Sequence, residues 1–436
     1  MKLLLTGARI IDPVQKIDSR MDIFLEDGKI AKMGTDLSKP IKSKSSEKIT
    51  KIIDLAGMIL VPGLIDMHTH LREPGFEYKE TISSGAAAAV AGGFTSIACM
   101  PNTNPINDSR SITEFIRRKA IEANLANVYP IGAVSVNSEG THLTEFWDLK
   151  EAGTVALSDD GKPVMDAALM RRAMEYADSL QLPVISHCED ANLSSGGLMH
   201  EGYYSTILGL NGIPSIAEEV MVARDILIAE FTKTSVHIAH VSTAGSVRLI
   251  RDAKKRGLKV TAETAPHYFT LTDEALQSYD TNFKINPPLR SEKDVAAIKE
   301  GLSDGTIDVI ACDHAPHGRT DKEVEFEYAA NGISGLETSL SLSMNLTSSK
   351  ILNWSELIAK MSANPARILN LPKGKLEIGA DADITVIDPL LKWTVNVQSF
   401  HSRGKNSPFN GRQMQGKAIL TIVGGDIKYD GREKNT

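Results

Sequence analysis

Eight short apolar runs, each of strand length and each followed by a longer amphipathic stretch, constrain this chain more than any other feature. They are "ILVPGLIDMH", "FTSIACMPN", "VYPIGAV", "TVALSDD", "LPVISHCE", "SVHIAHVS", "KVTAETAPH" and "DVIACDHAPH". Helix-length segments such as "TISSGAAAAVAGG" and "PSIAEEVMVARDILIAEF" separate them. Parallel strands need a crossover between them, and a helix usually supplies it. Eight strand–helix units over roughly three hundred residues predict an α/β fold, a (β/α)8 barrel of the TIM type.

The ends of the chain follow another pattern. "MDIFLEDGKIAKMG" holds two alternating runs around Asp27-Gly28, a hairpin signal. "KGKLEIGADADITVIDP" and "GKAILTIVGGDIKYDG" are rich in β-formers, with Gly and Asp at the turns. The Lys/Ser-rich "SKPIKSKSSEKITK" reads as a loop. A chain of 436 residues is long for a single core, so two units are expected. Residues 56–371 would form the barrel. Residues 1–55 and 372–436 would form a small composite β-sandwich.

Polar residues fall at the ends of the apolar runs. The first run ends in His68, with His70 two further on. The fourth ends in Asp159-Asp160, the fifth reaches His187, the sixth His240 and the eighth Asp313-His314. In a barrel of this kind, the C-terminal strand ends meet on the one face where active sites form. Taken singly, each residue has an ordinary structural reading: a satisfied histidine, a turn aspartate. Gathered at one mouth, four histidines and two aspartates make a ligand set. Imidazole and carboxylate without thiolate suit Zn²⁺ or a similar divalent ion, and suit Ca²⁺ and Mg²⁺ poorly. Six candidates exceed the need of one zinc, and two ions sharing a carboxylate would use them all.

A formal charge of −7 argues against nucleic acid or an anionic membrane as the main partner, though not against a small anion in a local cationic pocket. The start of the chain lacks the length and cleavage site of a signal peptide. No apolar run approaches the ~20 residues of a membrane span. Cys99, Cys188 and Cys312 form no CxxC pair, so reduced thiols in a cytoplasmic protein are expected.

The motifs "PGLIDMHTHLREPG", "GGFTSIACMPNTNP", "SDDG", "SHCED", "AHVSTAGSVRLIRDAKKRG", "VTAETAPHY", "KINPPLR" and "ACDHAPH" together resemble those of class I dihydroorotases of the amidohydrolase superfamily. The resemblance runs over nearly the whole chain. The first and last motifs are shared by several cyclic amidohydrolases. Arg72 after the histidines, the "MPNT" strand end and "NPPLR" are more specific. The resemblance implies reversible closure of N-carbamoyl-L-aspartate to L-dihydroorotate in de novo pyrimidine synthesis. It implies two zinc ions, one on His68, His70 and Asp313, the other on His187 and His240, with Asp160 and a hydroxide between them. Asp313 would also carry the proton as general base and acid. Arg72, Asn102 and His317 would bind the substrate carboxylate, and Asn286 the ring. It brings in two protein partners, a second copy of the chain and aspartate carbamoyltransferase.

Two departures from the family pattern stand out. Many binuclear relatives bridge their metals with a carbamylated lysine, whereas here the aspartate of "SDDG" is expected to do so, with Lys162 an ordinary surface lysine. Relatives commonly carry Pro-Phe-Gly where this chain has Ala330-Asn331-Gly332, a change expected to loosen a segment that contacts substrate. The charged stretch "GRTDKEVEFEYAANG" before it reads as a mobile loop over the mouth. His142, His200, His237, His267, His314 and His401 are not in the expected set; His237, three before His240, should face the other way in a strand. Competing readings are an enzyme opening a hydantoin, dihydropyrimidine or allantoin, and a non-catalytic partner of aspartate carbamoyltransferase. A carboxylate anchor at Arg72 argues against the first, and an intact ligand set against the second.

Overall fold

The computed structural model of the chain describes residues 2–37 and 51–432. The stretch read as a polar loop falls almost wholly at 38–50, outside the described residues. The chain starts with β1 (Leu3–Asp12), β2 (Ile17–Glu26), β3 (Lys29–Gly34), β4 (Lys51–Asp54) and β5 (Ile59–Pro62). β2 and β3 pair antiparallel up to Glu26 and Lys29. Asp27 and Gly28 both take positive φ, 49° and 79°, as the tight hairpin requires.

The barrel strands follow. They are β6 (Leu64–Thr69), β7 (Phe94–Cys99), β8 (Asn127–Gly132), β9 (Ala156–Leu157) and β10 (Ile185–Ser186). A two-stranded excursion, β11 (Met199–His200) and β12 (Gly212–Ile213), interrupts them. Then come β13 (Val236–Ile238), β14 (Val260–Thr264) and β15 (Val309–Ile310). β6 to β9 pair in order, as do β10, β13, β14 and β15. Parallel bridges Leu157–Val184 and Thr69–His314 join the two sets at both seams and close the barrel. All eight apolar runs of the sequence supply a barrel strand.

The first run divides at Gly63. "ILVP" is β5 and pairs with β1 and β16; only "LIDMHT" belongs to the barrel as β6. A side chain at Gly63 would strike Thr95, whose Oγ1 lies 2.1 Å from a Cβ built there. The backbone can therefore pass from one unit to the other only at a residue without Cβ. The terminal strands β16 (Ile384–Thr394), β17 (Gln413–Val423) and β18 (Asp426–Asp430) complete an eight-stranded sheet ordered β18-β17-β16-β5-β1-β2-β3, with β4 on β1. The sheet has its own buried core, including Leu3, Leu5, Ile10, Ile23, Leu60, Ile384 and Leu420.

Two hydrophobic layers build the barrel. Met67, Ala98, Ile131, Ala156, Ile185, Ala239 and Val309, from seven strand positions around the ring, pack inside. Leu64, Ile97, Val128, Leu157, Val184, Ile238, Ala262 and Ile310 face outward against the helices. This alternation decides which polar residues enter the interior. Among the described residues, no helix is long and apolar enough to cross a membrane.

Candidate metal centre

The six expected ligands converge at the C-terminal mouth. Asp160 lies at the middle. Its Oδ1 is 3.4 Å from His68 Nε2, 3.5 Å from His187 Nδ1 and 3.3 Å from His240 Nε2, and its Oδ2 is 3.5 Å from His70 Nε2. Asp313 Oδ1 stands 3.0 Å from His70 Nε2 and 3.5 Å from His68 Nε2. Ligand atoms of His68, His70 and Asp160 form one compact group, and those of Asp160, His187 and His240 form another. The groups share Asp160. Asp159 is turned away and accepts from the Ser135 amide and hydroxyl. Lys162 is exposed and outside both groups.

Local backbone geometry aims these side chains. Ala239 packs inside and Ile238 outside, so strict alternation would turn His240 outward. Its φ of 32° breaks the pleat and brings the ring to Asp160. Asp313 also has positive φ, 48°. Asp66 accepts from the His68 and Cys312 amides at 3.0 and 2.9 Å, tying the ends of β6 and β15 together.

Three of the four imidazoles are oriented from behind. His68 Nδ1 lies 2.5 Å from Glu263 Oε1, His70 Nδ1 lies 2.9 Å from Asn102 Oδ1, and His187 Nε2 lies 2.8 Å from Glu189 Oε2. These acceptors place the ring proton on the far nitrogen and leave a lone pair facing the centre. His68 Nε2 is buried with no hydrogen-bond partner. Such an orphan is costly unless something binds it.

The surrounding carboxylates draw the rings toward the charged form, so a lone pair is offered where another cation takes the proton's place. Burial disfavours a charged His68, but Asp160, Glu263 and Asp313 outweigh it and hold the ring well above its usual value. His187 is pushed up to about 10 against burial by Asp160 and Glu189. Despite burial, Glu189 and Glu263 are drawn down to about 2, chiefly by His187 and by His68 with His237 respectively. The site is thus an excess of buried carboxylate that calls for positive charge. The donor set, the orphaned nitrogen and the imposed tautomers fit divalent metal ions.

A cavity of about 220 Å³ lies over this cluster. Every expected site residue lines it except the fully buried His68. Arg72 reaches it through a turn, at φ 63°, because β6 has already ended at Thr69. Its Nε donates to the Pro316 carbonyl at 3.2 Å, and it has no carboxylate partner among the described residues. His317 accepts at Nδ1 from Lys79 at 3.3 Å and donates from Nε2 to the Asn331 carbonyl at 2.8 Å. Burial, Arg72, Lys79 and Lys322 push His317 down to about 2, so its ring is neutral in a cationic corner. Asn286 donates to Glu189 Oε2 at 2.7 Å.

Three expectations need correction. His237 does not turn away from the interior: with Val236 and Ile238 packed outward, it points inward and its Nε2 meets Glu263 Oε2 at 3.2 Å. His240 gives no guide to its direction, because His240 is beyond the regular strand. The segment after β15 is not a free loop, since Lys322, buried within it, donates to the Thr281, Lys284 and Ala330 carbonyls. Nor does Ala330 simply loosen it: the Ala330 amide donates to the Asp321 carbonyl at 3.0 Å, a bond proline cannot make. Glu189 and Glu263 went unread in the sequence. Their signals were present, a carboxylate two past His187 in "SHCED" and a lone glutamate inside the apolar "VTAETAPH".

A barrel with this His/Asp mouth and a terminal β-sheet defines an amidohydrolase. A family model described as dihydro-orotase-like matches residues 57–246, and one described as amidohydrolase family matches 212–429. A dihydroorotase of Syntrophus aciditrophicus (strain SB) is 62% identical over 429 residues, covering 98% of this chain and 99% of that protein. A dihydroorotase of Pelotomaculum thermopropionicum is 56% identical over 433 residues, covering 99% of each. The chain belongs to the dihydroorotase family and is a hydrolase acting on a cyclic amide. Its fold also matches solved structures of an L-hydantoinase from Arthrobacter aurescens (TM-score 0.86, 24% identity, 98% of this chain and 96% of that one) and a dihydropyrimidinase from Brevibacillus agri NCHU1002 (0.84, 23%, 99% and 96%).

Proposed function

We propose that the chain interconverts N-carbamoyl-L-aspartate and L-dihydroorotate, in pyrimidine synthesis, with two zinc ions at the barrel mouth. The observation that carries the substrate assignment is Arg72. It is a partly buried guanidinium without a carboxylate partner among the described residues, and it lines the same cavity as the ligand cluster. Such a fork suits a substrate carboxylate, which dihydroorotate has and dihydrouracil and allantoin lack.

His68, His70 and Asp313 would hold one ion, and His187 and His240 the other, with Asp160 between them. Bound there, the ions supply Lewis acidity to the ring carbonyl and to the attacking water. Asp313 stands at the cavity wall, held as an anion against burial chiefly by His68 and His70. In ring opening it takes a proton from the water and gives it to the ring nitrogen as the C–N bond breaks. Ring closure reverses these transfers. Arg72 pairs with the substrate carboxylate, and neutral His317 and Asn102 flank it. Asn286 reaches the ring side from its bond to Glu189.

The test is turnover of L-dihydroorotate beside dihydrouracil and allantoin, with a metal count on the same preparation. Turnover of dihydroorotate alone, with two ions per chain, is expected. Preference for an uncharged ring would overturn the carboxylate assignment.

A further inference from the structure

We infer that Lys284 and Lys322 are positioning residues for the substrate, two ammonium groups that staple the segment 319–332 to the segment 281–286 at the rim of the metal-centre cavity. The inference rests on the dihydroorotase reading of that cavity and adds the device that shapes its wall.

The stitching is reciprocal. Lys322, on the later segment, sends Nζ to the Thr281 carbonyl at 2.8 Å and the Lys284 carbonyl at 3.2 Å on the earlier one. Its third bond, 2.6 Å to the Ala330 carbonyl, folds its own segment back. Lys284, on the earlier segment, sends Nζ to the Phe326 and Glu327 carbonyls, both at 2.7 Å, and lies 5.4 Å from the centre of the Phe326 ring. Main-chain and hydroxyl bonds close the seam, from the Gly332 amide to the Lys284 carbonyl and from the Thr281 hydroxyl to the Lys322 carbonyl.

The chemistry of these contacts is specific. Three carbonyls converging on one atom need three N–H groups on that atom, and of the side chains only a lysine ammonium has them. Both lysines are buried, 5% and 6% exposed, and neither pairs with a carboxylate among the described residues. A buried charge satisfied by neutral carbonyls alone is expensive. Burial pushes Lys322 down to about 7, with Lys284 adding repulsion and Asp280 and Asp321 opposing it. Packing alone would be served better by leucine or methionine. What the ammonium groups add is a fixed separation between two backbones, each of which ends in cavity wall: Asn286 two residues past Lys284, and Asn331 and Gly332 after Ala330. Gly332, at φ 142°, has no room for a side chain, because a Cβ there would lie 2.6 Å from Ala315 Cβ. The tight fit at Gly332 and the lysine bonds together define the shape of that wall.

The experiment uses the metal-loaded enzyme and its Lys284→Met and Lys322→Met variants. Each variant should keep wild-type metal content and raise KM for dihydroorotate about tenfold, with kcat within about threefold. Amide exchange should quicken at 325–332 and stay unchanged in the barrel strands. Unchanged KM in a folded variant, or a fall in kcat that tracks lost metal, would overturn the inference. If the variants do not fold, the wild type still decides. Dihydroorotate should slow exchange in 281–286 and 325–332 together, and protection of one segment without the other would refute a staple. A wild type inactive on dihydroorotate defeats the functional reading and this inference with it; an active one with independent segments defeats the inference alone.

Discussion

Glu263 touches no part of the cavity, yet it orients His68, the deepest of the candidate ligands. Its Oε1 faces His68 Nδ1 and its Oε2 faces His237 Nε2, inside a barrel where it is 1% exposed. It selects the His68 tautomer and fixes the ring plane. Glu263→Gln keeps the shape but sets an amide where a full carboxylate balanced two imidazoles. Metal affinity should fall about 10- to 100-fold, read by titrating a chelator against the purified protein. Asp313 differs because it faces the cavity itself. Asp313→Asn removes the proposed proton carrier, so kcat should fall at least about 100-fold. Restoring metal content with excess zinc should not restore the rate, and recovery on zinc addition would reduce Asp313 to a ligand alone.

At the scale of elements, strand ends matter more than strands. β9, β10 and β15 are two residues long, and the candidate site side chains come just after them, where the pleat has broken. This explains what was legible in the sequence. Apolar runs mark strands, and polar residues closing them mark the mouth, so the six ligand candidates could be read by position. Direction could not be read past the last paired residue. His240 and Arg72 reach the centre through left-handed backbone that no alternation pattern announces. Glu263 was hidden for the opposite reason, as a polar residue inside a strand where the pattern expects packing. The division of "ILVPGLIDMH" between two sheets was hidden too, although Gly63 marks it. Gly63→Ala would drive a methyl into Thr95 at the only link between β5 and β6. Overpacking of this kind costs about 1–3 kcal/mol. A clear fall in melting temperature is expected, with dihydroorotase activity retained at low temperature; an unchanged melting temperature would mean that Thr95 can yield.

The whole molecule depends on how the terminal sheet is fastened to the barrel, and we place the division between the two units at Gly63. One fastening is ionic. Lys373 Nζ lies 2.8 Å from Asp381 and 2.7 Å from Asp383, Lys29 of β3 lies 2.6 Å from Asp381, and Asn127 of β8 donates to Asp383 at 3.1 Å. The cluster thus joins the hairpin, the approach to β16 and a barrel strand at their seam. A cavity of about 690 Å³ opens beside it, with none of the His/Asp groupings seen at the mouth among the described residues. Bonds from Lys29 and Lys373 hold the Asp381 carboxyl at about 2, below its ordinary 3.8. A carboxylate depressed on folding adds stability above its unfolded value and loses it as pH falls through the folded one. The contribution is therefore present above about pH 4 and drains away toward pH 2. Asp381 is partly exposed, so salt should weaken the effect. Lys373→Met removes one of the two cations and leaves Asp383 with its amide donors only. The variant should melt lower than wild type at pH 7, and the gap should narrow as pH drops toward 3. A gap that stays constant across that range would show that Lys373 acts by packing, and that the fastening of sheet to barrel is not ionic.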